Sequence, residues 1–213
     1  MLAAWLIHET REKQAATLEV HAPRIMTECR PLAIELGAGT GFLSLVLALC
    51  GWSVMATDLA QGQEILRANL EVNKDDLRTA DNDHIRAVTL DWQSDELPTE
   101  LLSAPSKGQI PSLVVATDTL YATDIVEPFF QTFDRLLRLG RSDTDGLGPC
   151  RGLLAIERRD PGFIDNALEV AERQFGLRLE RIDDRKVSEV VTRSLQWPLD
   201  AWDGVEIWEV RAV

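Results

Sequence analysis

Three closely spaced glycines follow a short apolar run near the start of this sequence. Residues 32–41 read Leu-Ala-Ile-Glu-Leu-Gly-Ala-Gly-Thr-Gly, with Gly37, Gly39 and Gly41 at alternate positions. The pattern predicts a strand, a tight loop and the N-terminus of a helix. Because glycine has no side chain beyond its hydrogen, such a loop lets the backbone approach a nucleotide-like ligand closely.

The spacing of the loop separates two classes of ligand. A dinucleotide loop has the pattern Gly-x-Gly-x-x-Gly and holds a pyrophosphate, but Phe42 stands where its third glycine would fall. Glu35, two residues before the first glycine, would repel a pyrophosphate and attract an ammonium group. We therefore predict that Glu35 and the loop, including Ala38 and Thr40, bind S-adenosylmethionine, which carries an ammonium and a sulfonium but no phosphate. A dinucleotide site and a scaffold without a ligand are the less favoured alternatives.

Acidic residues also follow the next two predicted strands. Asp58 and Leu59 come after the second strand, and Asp91 and Trp92 come after the third. A carboxylate at the first place can accept hydrogen bonds from ribose hydroxyls. At the second place, Asp91 can accept from an adenine amino group while Trp92 packs on the ring. Helix capping for the aspartates and core packing for the tryptophan are the structural alternatives.

The hydrophobic pattern predicts an α/β fold with alternating strands and helices. The predicted strands are 32–36, 53–57, 85–90, 113–116, 152–156, 177–182 and 205–210, and the predicted helices are 2–18, 42–50, 61–73, 125–139 and 163–175. The alternation predicts a mostly parallel sheet with helices on both faces. No helix is expected between the last two strands, so they would form an antiparallel pair at the edge. Residues 95–111 and 141–150 are expected to be surface loops.

Composition limits the function further. The 213 residues fit one domain, 1–213, with a short helical segment at 1–31 and a Rossmann-like core at 32–213. The net charge of −13 argues against binding to nucleic acid or to an anionic membrane. The cysteines and histidines form no ligand-like spacing, so no metal site is predicted. With no signal peptide or membrane-length apolar run recognised, we expect a cytoplasmic or nuclear protein, and we favour a monomer.

The end of the fourth predicted strand carries a second motif. Ala116 is followed by Thr117, Asp118, Thr119, Leu120 and Tyr121, which gives Asp-x-x-Tyr. Together with the motifs at 35–41, 58–59, 91–92 and 156–159, it resembles the eukaryotic seven-strand protein lysine methyltransferases. The resemblance covers residues 32–175 and leans toward the branch of fungal elongation-factor lysine methyltransferases. It implies a Rossmann-like seven-strand methyltransferase sheet, S-adenosyl-L-methionine as cofactor with S-adenosyl-L-homocysteine as product, and a protein substrate with an exposed lysine.

The resemblance also implies roles for individual residues. Asp118 would hydrogen-bond and orient the incoming lysine, and Tyr121 would bound the acceptor pocket as a catalytic and substrate-binding residue. Ala116 would contact the cofactor. Glu157, with Arg158, would line the mouth of the site, although a surface salt bridge explains these two residues equally well. A helix cap for Asp118 and simple packing for Tyr121 are the alternatives.

Two other functions stay open on the sequence. One is a small-molecule methyltransferase on the same fold, since a fold does not determine a substrate. The other is a cofactor-binding adaptor without activity. Members of the family usually carry a longer segment with a tryptophan before the first strand, where this sequence has 31 residues. We expect Trp5 to be a core contact of the first helix.

Overall fold

The fold is built on one seven-stranded sheet. The computed structural model describes residues 1–19, 30–75, 84–103, 110–140, 149–196 and 203–213. The strands are β1 (Leu32–Leu36), β2 (Ser53–Asp58), β3 (Ile85–Thr89), β4 (Pro111–Thr117), β5 (Arg151–Glu157), β6 (Leu177–Arg181) and β7 (Val205–Ala212). Their order across the sheet is β3-β2-β1-β4-β5-β7-β6. Strands β1 to β5 pair in parallel, and β7 is antiparallel to both β5 and β6. The predicted fold class, with its antiparallel edge, is confirmed.

Helices pack on both faces of the sheet. In the described residues they are α1 (Leu2–Glu19), α2 (Phe42–Leu49), α3 (Gln63–Asn73), α4 (Thr99–Leu102), α5 (Val126–Leu139), α6 (Pro161–Phe175) and α7 (Asp184–Leu195), with a short 3-10 turn at Thr123–Ile125 before α5. Most boundaries agree with the sequence to within two residues.

Two apolar clusters fix the sheet between its helices. On one face, the fully buried rings of Phe129, Phe130 and Phe133 on α5 pack with α6 and with the strands. On the other face, α1, α2 and α7 share a cluster that includes Trp5, which is 8% exposed. The expectation that Trp5 is a core contact of the first helix is confirmed. Burial of such side chains supplies most of the stabilisation that keeps the strand ends in place.

The structure corrects two sequence predictions. Between β6 and β7, where no helix was expected, α7 begins after Asp183, whose side chain accepts a hydrogen bond from the Arg185 amide. Its valines Val187, Val190 and Val191 are buried against the cluster of α1 and α2. The 95–111 segment was expected to be a surface loop, but it contains α4 and buries Leu101. Of the predicted loop 141–150, residues 141–148 lie outside the described residues.

No helix in the described part of the chain combines the length and apolar character needed to cross a membrane.

Candidate active site

The carboxyl ends of β1, β2, β3 and β4 surround one cavity of about 350 Å³. This is the edge at which ligands bind in open α/β sheets. The cavity is lined by Gly37, Asp58, Leu59, Gln61, Leu90, Asp91, Trp92, Gln93, Thr117, Asp118, Thr119, Tyr121, Ile125 and Pro128. Predicted residues from all four segments therefore come together, although they are distant in the sequence.

The first glycine of the loop, Gly37, lines the cavity. Gly37 lies at φ +68°, and a Cβ atom there would come within 3.0 Å of Thr119 and 3.4 Å of Trp92. At Gly39, by contrast, a Cβ atom would meet nothing within 4 Å, although its φ is +55°. Gly41 is the N-cap residue of α2 at φ +80°, and a Cβ atom there would lie 2.7 Å from Leu66 on α3. The first and third glycines thus permit close packing, and the second leaves open space beside the loop.

The carboxylate of Asp58 ties the loop to β2. Its Oδ2 accepts a hydrogen bond from the Gly39 amide at 2.6 Å, and its Oδ1 accepts from the Leu59 amide at 2.7 Å. The Asn69 side chain of α3 also donates to the Thr40 carbonyl at 3.0 Å. Asp58 is therefore held with its carboxylate beside the open space at Gly39. Helix capping does not explain it, since no side-chain cap is present at the start of α3.

Asp91 and Trp92, after β3, also line the cavity. Asp91 accepts a hydrogen bond from the Gln93 amide at 2.9 Å, which closes the turn after β3. Trp92 is half-buried, and its ring meets Phe129 edge to face at 5.1 Å between centroids. Trp92 therefore packs on the core on one side and lines the cavity on the other. Both earlier interpretations, core packing and contact with a ligand, are compatible with this position.

Glu35 lies beneath the glycine loop and is not among the residues that line the cavity. It is 1% exposed at the end of β1 and accepts a hydrogen bond from the Ser44 hydroxyl of α2. Burial raises its pKa from 4.5 to about 7, against the opposing effect of the Ser44 hydrogen bond. The cavity lining also leaves out Ala38, Gly39, Thr40, Gly41 and the fully buried Ala116.

Asp118 and Tyr121 lie on the open side of the cavity. Asp118 adopts φ +52°, a left-handed conformation that is uncommon outside glycine, directly after β4. Its amide donates to the Ala155 carbonyl of β5 at 3.0 Å. Its side chain is 51% exposed, and Tyr121 is 66% exposed. Asp118 caps no helix in the described residues, because the next helical turn begins at Thr123.

The segment after β5 points two arginines in different directions. Arg159 donates to Asp118 at 2.9 Å and to Glu157 at 2.5 Å. Arg158 instead bonds Glu206 at 2.6 Å and Asp165 at 2.7 Å, in ion pairs away from Asp118. Glu157 is absent from the cavity lining and is linked to the site through Arg159. The salt-bridge interpretation fits Arg158.

Sequence reasoning missed several residues at this site. Arg159 has no role in the sequence prediction, because the sequence does not show which of two adjacent arginines bonds Asp118. Thr119 is 3% exposed, and its hydroxyl has no hydrogen-bond partner among the described residues. The sequence around Thr119 does not indicate that its hydroxyl is buried without a partner. Ile125 and Pro128, at the start of α5, add an apolar wall.

No cluster of metal-binding side chains is found in the part of the chain that the structure describes. Burial raises the pKa of the Cys150 thiol to about 12, so this cysteine is an inert core residue.

Comparison with solved structures defines the class of fold. A TehB-like SAM-dependent methyltransferase from Corynebacterium glutamicum superposes with a TM-score of 0.53 at 17% identity, covering 99% of this chain and 98% of that one. A precorrin-6y C5,15-methyltransferase from Geobacter metallireducens gives 0.52 at 14% identity, covering 86% and 80%. The chain therefore has the fold of these methyltransferases.

Sequence comparison identifies the family. The model of the lysine methyltransferase family matches residues 1–145, and the chain belongs to this family. It is 31% identical to protein N-lysine methyltransferase METTL21A of Mus musculus, over 72% of this chain and 62% of that protein. It is 25% identical to protein-lysine N-methyltransferase rrg1 of Schizosaccharomyces pombe, over 78% and 53%. The match to human methyltransferase-like protein 22, at 28% identity, covers 60% and 32%. The chain thus spans less than two thirds of the length of these relatives.

Proposed function

We propose that this protein is an S-adenosylmethionine-dependent protein-lysine N-methyltransferase. The observation that carries the proposal is the composition of the cavity. Asp58, Asp91 and Trp92 provide groups suited to an adenosine, while Asp118 and Tyr121 stand at the open side of the same cavity. Membership of the lysine methyltransferase family supports the same conclusion.

The residues present fit the cofactor. The carboxylates of Asp58 and Asp91 and the indole of Trp92 line the cavity. Asp58 would hold the ribose hydroxyls, and Asp91 with Trp92 would hold the adenine. The buried Thr119 hydroxyl offers a further polar atom that has no hydrogen-bond partner in the part of the chain that the structure describes. When bound, S-adenosylmethionine supplies an electrophilic methyl group on a positively charged sulfur.

The chain's own residues would act on the acceptor. A lysine ammonium has a reference pKa of about 10.4, so the amine must lose its proton before it can accept a methyl group. Asp118 would bind the ammonium and orient it, and the proton would leave to solvent at this exposed site. Tyr121 would bound the amine on one side. Alignment of the amine by these two residues would account for much of the acceleration, because proximity and orientation lower a barrier by several kcal/mol.

The exposure of the acceptor residues favours a protein substrate over a small molecule. Asp118 is 51% and Tyr121 is 66% exposed. A small-molecule enzyme encloses most of its ligand, whereas a lysine on a folded protein needs an open approach. We also propose a cytoplasmic location and a single domain that acts as a monomer. An elongation factor as the substrate stays a prediction from the resemblance.

The test is to incubate the protein with methyl-labelled S-adenosylmethionine and a cell lysate. A labelled protein band that resists removal of nucleic acid, with label on lysine after hydrolysis, is expected. Label in a soluble metabolite would instead indicate the small-molecule enzyme. Calorimetric cofactor binding without any transfer would indicate an adaptor.

The residue assignment is tested by Asp118→Ala. We expect cofactor affinity within about twofold of the unchanged protein and a loss of transfer of at least tenfold, because one charge-assisted hydrogen bond contributes about 1.5–3 kcal/mol. Asp203→Ala, an exposed aspartate in the turn before β7, is the control for loss of charge. Full transfer by Asp118→Ala would reject the role.

A further inference from the structure

Asp118 already holds a cation that belongs to the protein. The Arg159 guanidinium is 2.9 Å from one carboxylate oxygen of Asp118 and 2.5 Å from a carboxylate oxygen of Glu157. One nitrogen, Nη2, makes both contacts. The position that a substrate ammonium would take on this carboxylate is therefore contested by an arginine side chain.

Arg159 does not fix the position of Asp118. The backbone does so, because the Asp118 amide donates to Ala155 at 3.0 Å and the next two residues, Thr119 and Leu120, are 3% and 6% exposed. The backbone position of Asp118 is thus set by β4 and β5. The ion pair with Arg159 is an addition to that geometry.

The contact is also easy to break. The side chains of Arg159, Asp118 and Glu157 are 61%, 51% and 44% exposed, and exposed ion pairs contribute little to stability because water screens them. Arg159 has a second carboxylate on which to remain, since Glu157 lies on the same segment. The backbone below it is anchored separately, because the Arg158 amide donates to the Gly204 carbonyl at 2.8 Å.

We propose that Arg159 is an intramolecular competitor of the substrate lysine: it occupies the Asp118 carboxylate and must withdraw to Glu157 before the ammonium binds. The inference rests on the proposed acceptor role of Asp118. It makes Arg159 a specificity-determining residue, because an isolated surface lysine must displace it. A substrate lysine displaces Arg159 more readily when other residues of the substrate protein also contact this protein and hold the lysine in place.

The experiment measures ammonium binding without the methyl-transfer reaction. The probe is acetyl-Gly-Lys-Gly-amide, with the norleucine tripeptide as the uncharged control. Binding is followed through the carboxylate carbon resonance of Asp118 in protein labelled with ¹³C-aspartate, which Asp118→Asn identifies. We expect the lysine tripeptide to bind Arg159→Ala about threefold more tightly than the unchanged protein, a gain of the size of an exposed ion pair.

Two variants control the comparison. Arg173→Ala removes the same charge from an exposed arginine on α6 that pairs with Glu169, and it should leave binding unchanged. Arg159→Lys keeps the competing cation and should stay close to the unchanged protein. Equal or weaker binding to Arg159→Ala, an equal gain in Arg173→Ala, or the absence of any lysine-dependent shift at Asp118 would overturn the proposal.

These outcomes separate the inference from the proposed function. Labelled protein in the lysate together with unchanged binding to Arg159→Ala rejects only the competition. Tighter binding to Arg159→Ala without any transfer in the lysate rejects only the methyltransferase activity.

Discussion

At the scale of single residues, the Glu35 carboxylate is buried where its ionisation is unfavourable. Burial raises its pKa from 4.5 to about 7. The folded protein therefore keeps a proton on Glu35 at pH values where the unfolded chain has lost it. Stability that is fully present below about pH 4.5 falls as the pH rises to about 7 and then levels off.

Glu35→Gln should remove this pH dependence. The amide stays neutral at every pH. At pH 8 the free energy of unfolding of the variant should therefore exceed that of the unchanged protein, by up to roughly 3 kcal/mol if the whole pKa shift of Glu35 is expressed. Near pH 4.5 the two proteins should differ little. Urea unfolding at four pH values between 4.5 and 8 measures the effect, and parallel profiles for the two proteins would contradict it.

Asp58→Asn tests the ribose side of the cavity. The substitution keeps the size of the side chain but removes the charge and one acceptor, so cofactor affinity should fall about tenfold or more. Part of the loss would come through the loop, because Oδ2 accepts from the Gly39 amide. Calorimetric titration with S-adenosylmethionine measures it, with Asp203→Asn as the charge control. An unchanged dissociation constant would place the ribose elsewhere.

Residue chemistry at the cavity was largely predictable, and orientation was not. Asp58, Asp91, Trp92, Asp118 and Tyr121 all line one cavity, because strand ends in a parallel sheet meet at one edge. The sequence does not distinguish the partners of Arg158 from those of Arg159, because the two arginines are adjacent and of the same type. Their different partners depend on Glu206 of β7, which becomes a neighbour only when the sheet has formed.

At the scale of elements, the glycine loop joins β1 to α2 and α3 through positions with different requirements. Gly41→Ala combines a left-handed backbone with a contact of 2.7 Å to Leu66, and should destabilise the fold by about 2 kcal/mol or more. Gly39→Ala has only the backbone cost, about 1–2 kcal/mol, but adds a methyl group next to the amide that donates to Asp58. We expect Gly41→Ala to lower the melting temperature more than Gly39→Ala does. For each kcal/mol of lost stability, Gly39→Ala should lose more cofactor affinity than Gly41→Ala.

Thermal unfolding and calorimetric titration of both variants make this comparison. If Gly39→Ala is the less stable variant and Gly41→Ala binds the cofactor more weakly, then Gly39 has the packing role and Gly41 the binding role, which contradicts the prediction.

An ion pair between Arg158 and Glu206 of β7 holds the segment after β5 against the sheet. This carboxylate is 3% exposed and accepts from Arg158 at 2.6 Å, from Arg181 at 2.8 Å and from the Trp208 indole at 2.9 Å. Glu206→Ala would leave three donors without their acceptor. Because the arginines are partly exposed, we expect a loss of about 2–4 kcal/mol rather than more. Chemical denaturation measures the loss, and Glu180→Ala on the exposed side of β6 should cost less than about 0.5 kcal/mol.

The missed helix α7 shows where pattern reading failed. Its apolar positions Val187, Val190 and Val191 have helical spacing, and Asp183 caps it. The rest of the segment is rich in charge, because much of its surface faces solvent. The burial of these valines depends in part on packing against α1, from the other end of the sequence, which a local pattern does not show.

At the scale of the whole molecule, the net charge of −13 should favour basic protein surfaces. Transfer to a protein acceptor is expected to decrease severalfold as NaCl rises from about 50 to 300 mM, because screening shortens the reach of the charges. The effect should be on KM more than on kcat. Steady-state assays at four salt concentrations measure it, with cofactor binding measured in parallel. A salt-independent KM would show that net charge has no part in docking.

The position of β7 has a consequence for synthesis. β6 pairs with β7, which in turn pairs with β5, so a strand that is translated earlier reaches the sheet only through one translated later. While the ribosome is adding residues 182–204, β6 has no strand to pair with in the described sheet. Non-local pairing of this kind is slow. The nascent protein would therefore complete its first five strands, and with them the walls of the cavity, before the antiparallel edge that anchors Arg158 can form.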